Sequence, residues 1–261
     1  YHNDKLQEVK ADYLLANPPF NDGSKSTDGW GADRIPKKDP RLKLGDHYMP
    51  LAPKNANTMW IMHFLYHLKE GGTAGFVMAT GELSNGETAR LEVRKQLVEL
   101  GYVDCIVQLT GQLFANTQIP CSLWFLSKNR DGSHGMRERK DEILFIDGRK
   151  LGSLIPGSRK QKALSEEELE QIASVYREFK KEKAPEEQPG FAAVASLDQV
   201  KEYGYALSPG RYVGAEVNDE EGEHFEELYP KLVEKLEEQM DKSQELSDTI
   251  RRNLEIVKEY M

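Results

Sequence analysis

The feature that most constrains the fold of this chain is a succession of short apolar runs, each closed by turn residues and separated by segments with helical spacing. Residues 11–16 end in Asn17-Pro18-Pro19-Phe20, and further runs cover 73–80, 103–109, 119–127 and 142–147. Apolar runs this short, rich in β-branched and aromatic residues, read as strands covered on both faces. Between them, residues 57–68 carry Trp60, Ile61, Phe64, Leu65 and Leu68 at helical spacing, with Gly71-Gly72 as the expected stop. A second helix is expected over 87–100 through Leu91, Leu97, Val98 and Leu100, closed by Gly101. The alternation predicts an α/β chain with an open, mostly parallel sheet. The last two runs, close together in sequence, predict an antiparallel edge.

Two stretches depart from this pattern. Residues 21–54 show no sustained periodicity and are rich in Gly, Asp, Pro and Lys, which predicts a functional or mobile loop. Beyond about residue 150 the strands give way to an amphipathic helix over 164–183, with Ser165 as its N-cap and Glu168 as the capping-box partner. A mixed segment follows over 191–214. From Pro230 onward, Leu232, Leu236, Met240, Ser243, Leu246, Ile250, Leu254, Val257 and Met261 step by three or four, close to the seam of a helix pair. A helix of that length reaches roughly 45 Å, which calls for a partner helix or for folding back onto its own domain. The expected divisions are 1–155, 156–218 and 219–261.

Charge bears on the partner. The 261 residues carry 35 Lys+Arg against 44 Asp+Glu, a net −9, which at face value argues against nucleic acid. Residues 219–241, however, hold ten acidic residues and two lysines, so the rest of the chain is nearly neutral. The loop 23–54 is mildly basic, with seven basic residues against four acidic. The charge therefore admits DNA, with most of the grip coming from partners. No stretch approaches the ~20 apolar residues of a membrane span, and the first residues do not resemble a signal peptide. Cys105 and Cys121 lie in apolar runs and are too few for a disulfide framework or a four-ligand zinc site, so they are expected to be buried thiols in a reducing, cytoplasmic setting.

The sharpest chemical signal is Asn17-Pro18-Pro19-Phe20, placed where a buried strand ends and open α/β sheets bind ligands. The lone pair of an adenine amino group is delocalised into the ring, which makes it a poor nucleophile. Two oxygens accepting its N–H hydrogens pull the nitrogen toward tetrahedral geometry, and the Asn17 amide oxygen and the Pro18 carbonyl can be those acceptors. Prolines at 18 and 19 fix φ and remove competing donors. Phe20 offers a face for a base taken out of its stack.

Other candidates carry less. Asp22, Lys25, Lys37, Lys38, Arg41 and Lys43 can contact phosphate or form a solvated loop. His63 and His67 stand i, i+4, yet His47, His63, His67 and His134 show no acidic or cysteine grouping in the sequence, and no metal is expected. Ser84 and Ser122 lack a nucleophile elbow. Trp60, Trp124 and Phe125 are expected in the core, and Gln118-Ile119-Pro120 is read as structural. Gly29-Trp30-Gly31 lies in the loop after the turn rather than between a strand and a helix, so it is rejected as a cofactor turn.

The stretch Ala11-Asp-Tyr-Leu-Leu-Ala-Asn-Pro-Pro-Phe-Asn21 resembles the catalytic motif of amino-group DNA methyltransferases. The chain is more specifically similar to the modification (methylation) subunit of type I restriction–modification systems. Asn57-Thr-Met-Trp-Ile-Met-His-Phe, Lys69-Glu-Gly-Gly-Thr-Ala-Gly, Gly81-Glu-Leu-Ser-Asn-Gly and Arg90-Leu-Glu-Val-Arg94 carry the likeness onward. So do Ile119-Pro-Cys-Ser-Leu-Trp-Phe-Leu-Ser-Lys128, Leu144-Phe-Ile-Asp-Gly-Arg149 and Leu207-Ser-Pro-Gly-Arg-Tyr212.

This resemblance implies the later strands of a partial Rossmann-like class I methyltransferase sheet, followed by a helical C-terminal tail. It implies N6-adenine methylation of DNA from S-adenosylmethionine, with Asn17, Pro18, Pro19 and Phe20 as the catalytic and target-base residues. Implied partners are DNA, a specificity subunit held through the C-terminal helix, a second modification subunit and a restriction subunit. In this family the main cofactor motif lies upstream of the catalytic one. The chain is thus expected to be the C-terminal part of a subunit, with Asn17 at most bordering the cofactor and no activity by itself. Two alternatives stay open: methylation of a protein glutamine or an RNA amine, and a non-catalytic assembly fragment.

Overall fold

The computed structural model describes residues 2–23, 29–115, 117–133, 135–181, 184–215 and 225–259. The chain forms two units, Tyr1–Glu216 and Val217–Met261. The first is built on a six-stranded sheet: β1 (Ala11–Ala16), β2 (Leu68–Ala79), β3 (Val103–Leu109), β4 (Cys121–Ser127), β5 (Glu142–Gly148) and β6 (Ala192–Ser196). Their spatial order is β1-β2-β4-β3-β5-β6. Pairs β1/β2 and β3/β5 run parallel, whereas β2/β4, β4/β3 and β5/β6 run antiparallel.

Connection length explains the interior antiparallel strand. A parallel return needs a crossover of a dozen or more residues, usually with a helix. The described residues of 110–120 contain no helix, and β4 turns back beside β3 and fills the gap between it and β2. Trp124 then lies opposite Phe76 on one side and Ile106 on the other. The antiparallel edge exists but belongs to β6, which lies inside the segment that the sequence left as mixed. Residues 119–127 and 142–147 do not pair with each other.

Helices α1 (Asn57–Tyr66), α2 (Thr88–Glu99) and α4 (Leu197–Glu202) contribute to the core on one face of the sheet, against Phe76, Trp124 and Phe145. Helix α3 (Glu166–Phe179) covers the other face through Ile172, Val175 and Phe179, over Cys105, Val107, Leu144 and Ile146. Strand β3, covered on both sides, is buried along nearly its whole length, as its unbroken apolar run requires. Both cysteines are buried and free, and burial pushes both thiols up. The capping box on α3 forms as expected: Ser165 Oγ accepts from Glu168 N at 3.2 Å, and Glu168 Oε2 accepts from Ser165 N at 2.7 Å.

Two boundaries moved. Helix α1 ends at Tyr66 and β2 starts at Leu68, so Gly71-Gly72 lies inside the strand. A Cβ at Gly72 would meet the Ala11 carbonyl at 2.9 Å, so glycine lets β1 and β2 approach there. The long loop is not structureless either. Trp30, Ile35, Leu42, Ala56 and Met59 make a small core of their own, and Trp30 Nε1 donates to the Ala52 carbonyl at 2.9 Å.

Strand β1 pairs with β2 along one edge. Among the described residues nothing pairs with its other edge, and Tyr13 and Leu15 are 84% and 86% exposed. In the second unit, α5 (Phe225–Glu259) is a 35-residue helix that begins before Pro230. Its seam residues Leu232, Leu236, Met240, Leu246, Ile250 and Leu254 are all exposed. Met261 lies outside the described residues, as does most of the acidic stretch before the helix.

Candidate active site

Asn17-Pro18-Pro19-Phe20 follows directly on β1 at the carboxyl end of the strand, where the sheet leaves an open crevice. Pro18 is buried, Phe20 is half-buried, and Asn17 and Pro19 are exposed. The four residues line a cleft of about 520 Å³ together with Phe114, Ala115 and Thr117. Phe20 and Phe114 meet edge to face, with ring centroids 5.9 Å apart and planes at 79°, a favoured aromatic geometry. Asn17 also borders a second hollow of about 410 Å³, lined by Leu15, Gly75, Val77, Leu123 and Phe125. Asn17 thus lines both cavities.

The chain after Phe20 is held tightly. Asn21 sits in the left-handed region at φ 53°, an uncommon conformation for a non-glycine residue that asparagine tolerates best. Its N–H donates to Asn57 Oδ1 at 2.9 Å, and its own Oδ1 accepts from Asn55 Nδ2 and Asn57 Nδ2, each at 3.0 Å. Asn57 Nδ2 also donates to Glu82 Oε2 at 3.0 Å. Glu82, buried just past the end of β2, is forked by Arg90: Nε reaches Oε1 at 3.0 Å and Nη2 contacts Oε2. At Gly23 an added Cβ would lie 2.3 Å from the Lys54 carbonyl, so only glycine lets the turn pass that close to the segment before α1.

The remaining sequence candidates separate on their contacts. Arg41 is buried and forked onto Asp39, with Nη2–Oδ2 at 2.7 Å and Nε–Oδ1 at 2.9 Å, so it is not free to grip phosphate. Lys37, Lys38 and Lys43 are exposed and Asp22 half-buried; Lys25 and His134 lie outside the described residues. His47 is exposed on a two-residue ribbon.

His63 and His67 do have an acidic neighbour, which the sequence reading did not find. Asp4 Oδ2 lies 2.9 Å from His67 Nε2 and 4.0 Å from His63 Nδ1. With His67 Nδ1 at 2.7 Å from the Val9 carbonyl, hydrogen bonds account for both nitrogens of that ring. Burial, then the neighbouring His67, pulls His63 down to about 4. Ser84 is exposed, and Ser122 is buried and donates to the Met78 carbonyl at 3.2 Å. Trp124 is a core residue, Phe125 packs on Tyr176 at 4.7 Å, and Trp60 stacks on Phe64 at 5.9 Å.

The sequence reading missed Phe114, Asn57 and the Glu82–Arg90 pair. Phe114 belongs to no periodic element, so only its approach to Phe20 reveals it. Asn57 reads locally as the start of a helix, and a Glu and an Arg eight positions apart carry no sign that both are buried.

A mixed sheet in this strand order, with a polar Asn-Pro-Pro-Phe turn at the carboxyl end of an outer strand, defines a class: α/β proteins with the class I methyltransferase fold. The chain belongs to the N-6 DNA Methylase family, which matches residues 1–221. It is 39% identical over 258 residues to the type I restriction enzyme MjaIX methylase subunit of Methanocaldococcus jannaschii, covering 98% of this chain and 44% of that protein. It is 35% identical over 248 residues to the HindI methylase subunit of Haemophilus influenzae, covering 95% and 52%. Its fold is similar to the solved methyltransferase subunit of a type I restriction–modification system from Streptococcus thermophilus, with a TM-score of 0.66 and 29% identity over 81% of this chain and 40% of that one. The chain thus spans about half the length of the curated relatives it matches.

Proposed function

We propose that this chain carries the acceptor side of an adenine-N6 DNA methyltransferase, as the later part of a type I modification subunit. The observation that carries the reading is the Asn17–Phe20 turn lining one cleft with Phe114, in a chain of the N-6 DNA Methylase family. Asn17 Oδ1 and the Pro18 carbonyl accept the two N–H bonds of the target amine and turn its lone pair toward the methyl donor. Pro19 keeps that carbonyl in place, and Phe20 with Phe114 forms the aromatic walls that hold a base flipped from the duplex. No general base is assigned, because the amine proton can leave after transfer.

N-6 DNA methylases use S-adenosylmethionine. A cofactor of that shape needs a glycine turn between a strand and a helix, with free backbone N–H groups. The one Gly-x-Gly in the loop does not fit, since Trp30 is buried in the loop's own core and Gly31 caps a single turn. Residues 2–23, 29–115 and the others described therefore fit the acceptor and not a complete cofactor site, and no step is derived through the donor. The main cofactor turn lies, on this reading, in a part of the subunit outside the described residues. The chain alone is then inactive.

Residues 1–155 are assigned to catalysis, 156–218 to a connecting region and 219–261 to association. The exposed seam of α5 takes the specificity subunit, which supplies sequence recognition and most of the grip on DNA. A second modification subunit and a restriction subunit complete the assembly in the cytoplasm.

The test is the identity of the product. The full-length subunit with its specificity partner, labelled S-adenosylmethionine and duplex DNA should yield N6-methyladenine on nucleoside mass spectrometry. Label found in protein glutamine or in RNA, with none in DNA, refutes the assignment.

A further inference from the structure

The network behind Asn21 contains more fixed polar chemistry than a turn requires. Asn57 is fully buried, and its amide is saturated: Oδ1 accepts from the Asn21 N–H, one Nδ2 hydrogen goes to Asn21 Oδ1 and the other to Glu82. The amide cannot be flipped, because the Asn21 N–H needs an acceptor and the Glu82 carboxylate needs a donor. Glu82, 2% exposed, is oriented by the two-pronged Arg90 contact, and Arg90 is buried as well. Asn55 tightens the same knot, accepting from Asn57 N at 2.8 Å while donating to Asn21. The Asp22 carbonyl adds a bond from Ala56 N at 3.0 Å. The network thus joins the turn after β1, the start of α1 and the end of β2.

We propose that Asn57, oriented by the buried Glu82–Arg90 pair, is a positioning residue that fixes the left-handed backbone at Asn21 and through it the Pro18 carbonyl and the Asn17 amide. The inference rests on the acceptor role given to Asn17 and Pro18 above. A left-handed backbone at a non-glycine residue persists only where its surroundings fix it, so without Asn57 the turn relaxes toward ordinary φ. Pro18 is three residues away, and proline at 18 and 19 transmits the shift because neither φ can absorb it. A displacement near 1 Å of a reacting group costs about 100-fold in rate. Asn57 touches no cleft residue of the set Asn17–Phe20 in this network, so its effect on the reaction is indirect.

The experiment uses the full-length subunit with its specificity partner and a target duplex, at a temperature where every variant is folded by circular dichroism. Asn57→Ala should lower the single-turnover rate of methyl transfer about 10- to 100-fold, with KM for the duplex and for S-adenosylmethionine unchanged within threefold. Asn57→Asp alone sets a carboxylate against Glu82 and should be at least as slow. A merely structural role does not predict the split between rate and KM. An Asn57→Ala rate within threefold of the parent, while Asn17→Ala is inactive, overturns the positioning role and leaves the acceptor reading intact. Full activity of Asn17→Ala overturns the acceptor reading itself.

Discussion

Replacing Asp104 by asparagine tests how the centre of the sheet is held together. Asp104, on β3, is fully buried and is, among the described residues, the one carboxylate contacting two buried guanidinium groups. Arg139 donates to it from Nε at 2.8 Å and from Nη2 at 3.1 Å, and the Tyr176 hydroxyl donates at 2.8 Å. Arg130 Nε stands 3.1 Å away, out of line for a hydrogen bond, while its Nη atoms donate to the carbonyls of Gly101, Val103, Arg139 and Glu142. Burial draws Arg130 down to about 10 even with that carboxylate beside it.

Asp104→Asn keeps the shape of the site and removes its negative charge, which leaves two desolvated cations with no counter-ion. Breaking a buried pair in this way costs about 3–5 kcal/mol. At 2–4 °C per kcal/mol for a unit of this size, the melting midpoint should fall by roughly 6–20 °C. Urea unfolding followed by circular dichroism at pH 7 measures the free energy directly. The exposed pair Arg177–Glu170 is the control, since Arg177→Ala should change stability by less than about 1 kcal/mol. A loss below about 1 kcal/mol for Asp104→Asn, with an unchanged denaturant slope, refutes the argument.

Three further outcomes are expected. Phe114→Ala removes one aromatic wall of the cleft and should weaken the extrahelical state of the target base by about 1–3 kcal/mol, read as reduced 2-aminopurine fluorescence with the full-length complex; unchanged fluorescence argues against the wall. His63 is held at about 4, below its ordinary value near 6.5, so the unfolded chain takes up the proton first. Stability should therefore fall as pH drops from about 6.5 toward 4, by at most about 2 kcal/mol at pH 5, and His63→Gln should flatten the difference in urea midpoint between pH 7 and pH 5. Leu236→Asp with Met240→Asp, on the exposed seam of α5, should abolish co-purification with the specificity subunit and leave the melting of the first unit unchanged; intact co-purification removes that seam as the contact.

Much of this architecture is legible in the sequence because burial leaves a local trace. An uninterrupted apolar run such as 103–109 is what a strand covered on both faces needs, and the Ser165/Glu168 spacing is a complete capping box in four residues. The place of β4 was less legible, since which neighbour a returning strand chooses depends on the gap between β2 and β3. Strand β6, Ala192–Ser196, is short and alanine-rich and carries little signal until β5 supplies its partner. The Asn17–Phe20 turn stands out in the sequence because its residue types match the acceptor chemistry proposed for it. Phe114 and the Asn57–Glu82–Arg90 network could not be read, because their significance arises from contacts between separate segments, Phe20 with Phe114 and Asn57 with Glu82, whose residues look ordinary in their own segments. The state of Arg41 was hidden for a different reason: a buried Asp39 only two residues away absorbs its charge, and neither residue's burial shows in the sequence.

The central claim is that Asn17 presents an acceptor oxygen to the target amine, and one single-turnover measurement tests it most directly. Full-length subunit, pre-bound with its specificity partner to a target duplex, is mixed with labelled S-adenosylmethionine, and N6-methyladenine is followed for the parent and for Asn17→Ala. Loss of one preorganised polar contact to the reacting group is worth a factor of about 100 to 1,000. The account predicts a fall of at least that size with DNA binding unchanged. A variant that transfers methyl within about threefold of the parent rate contradicts it.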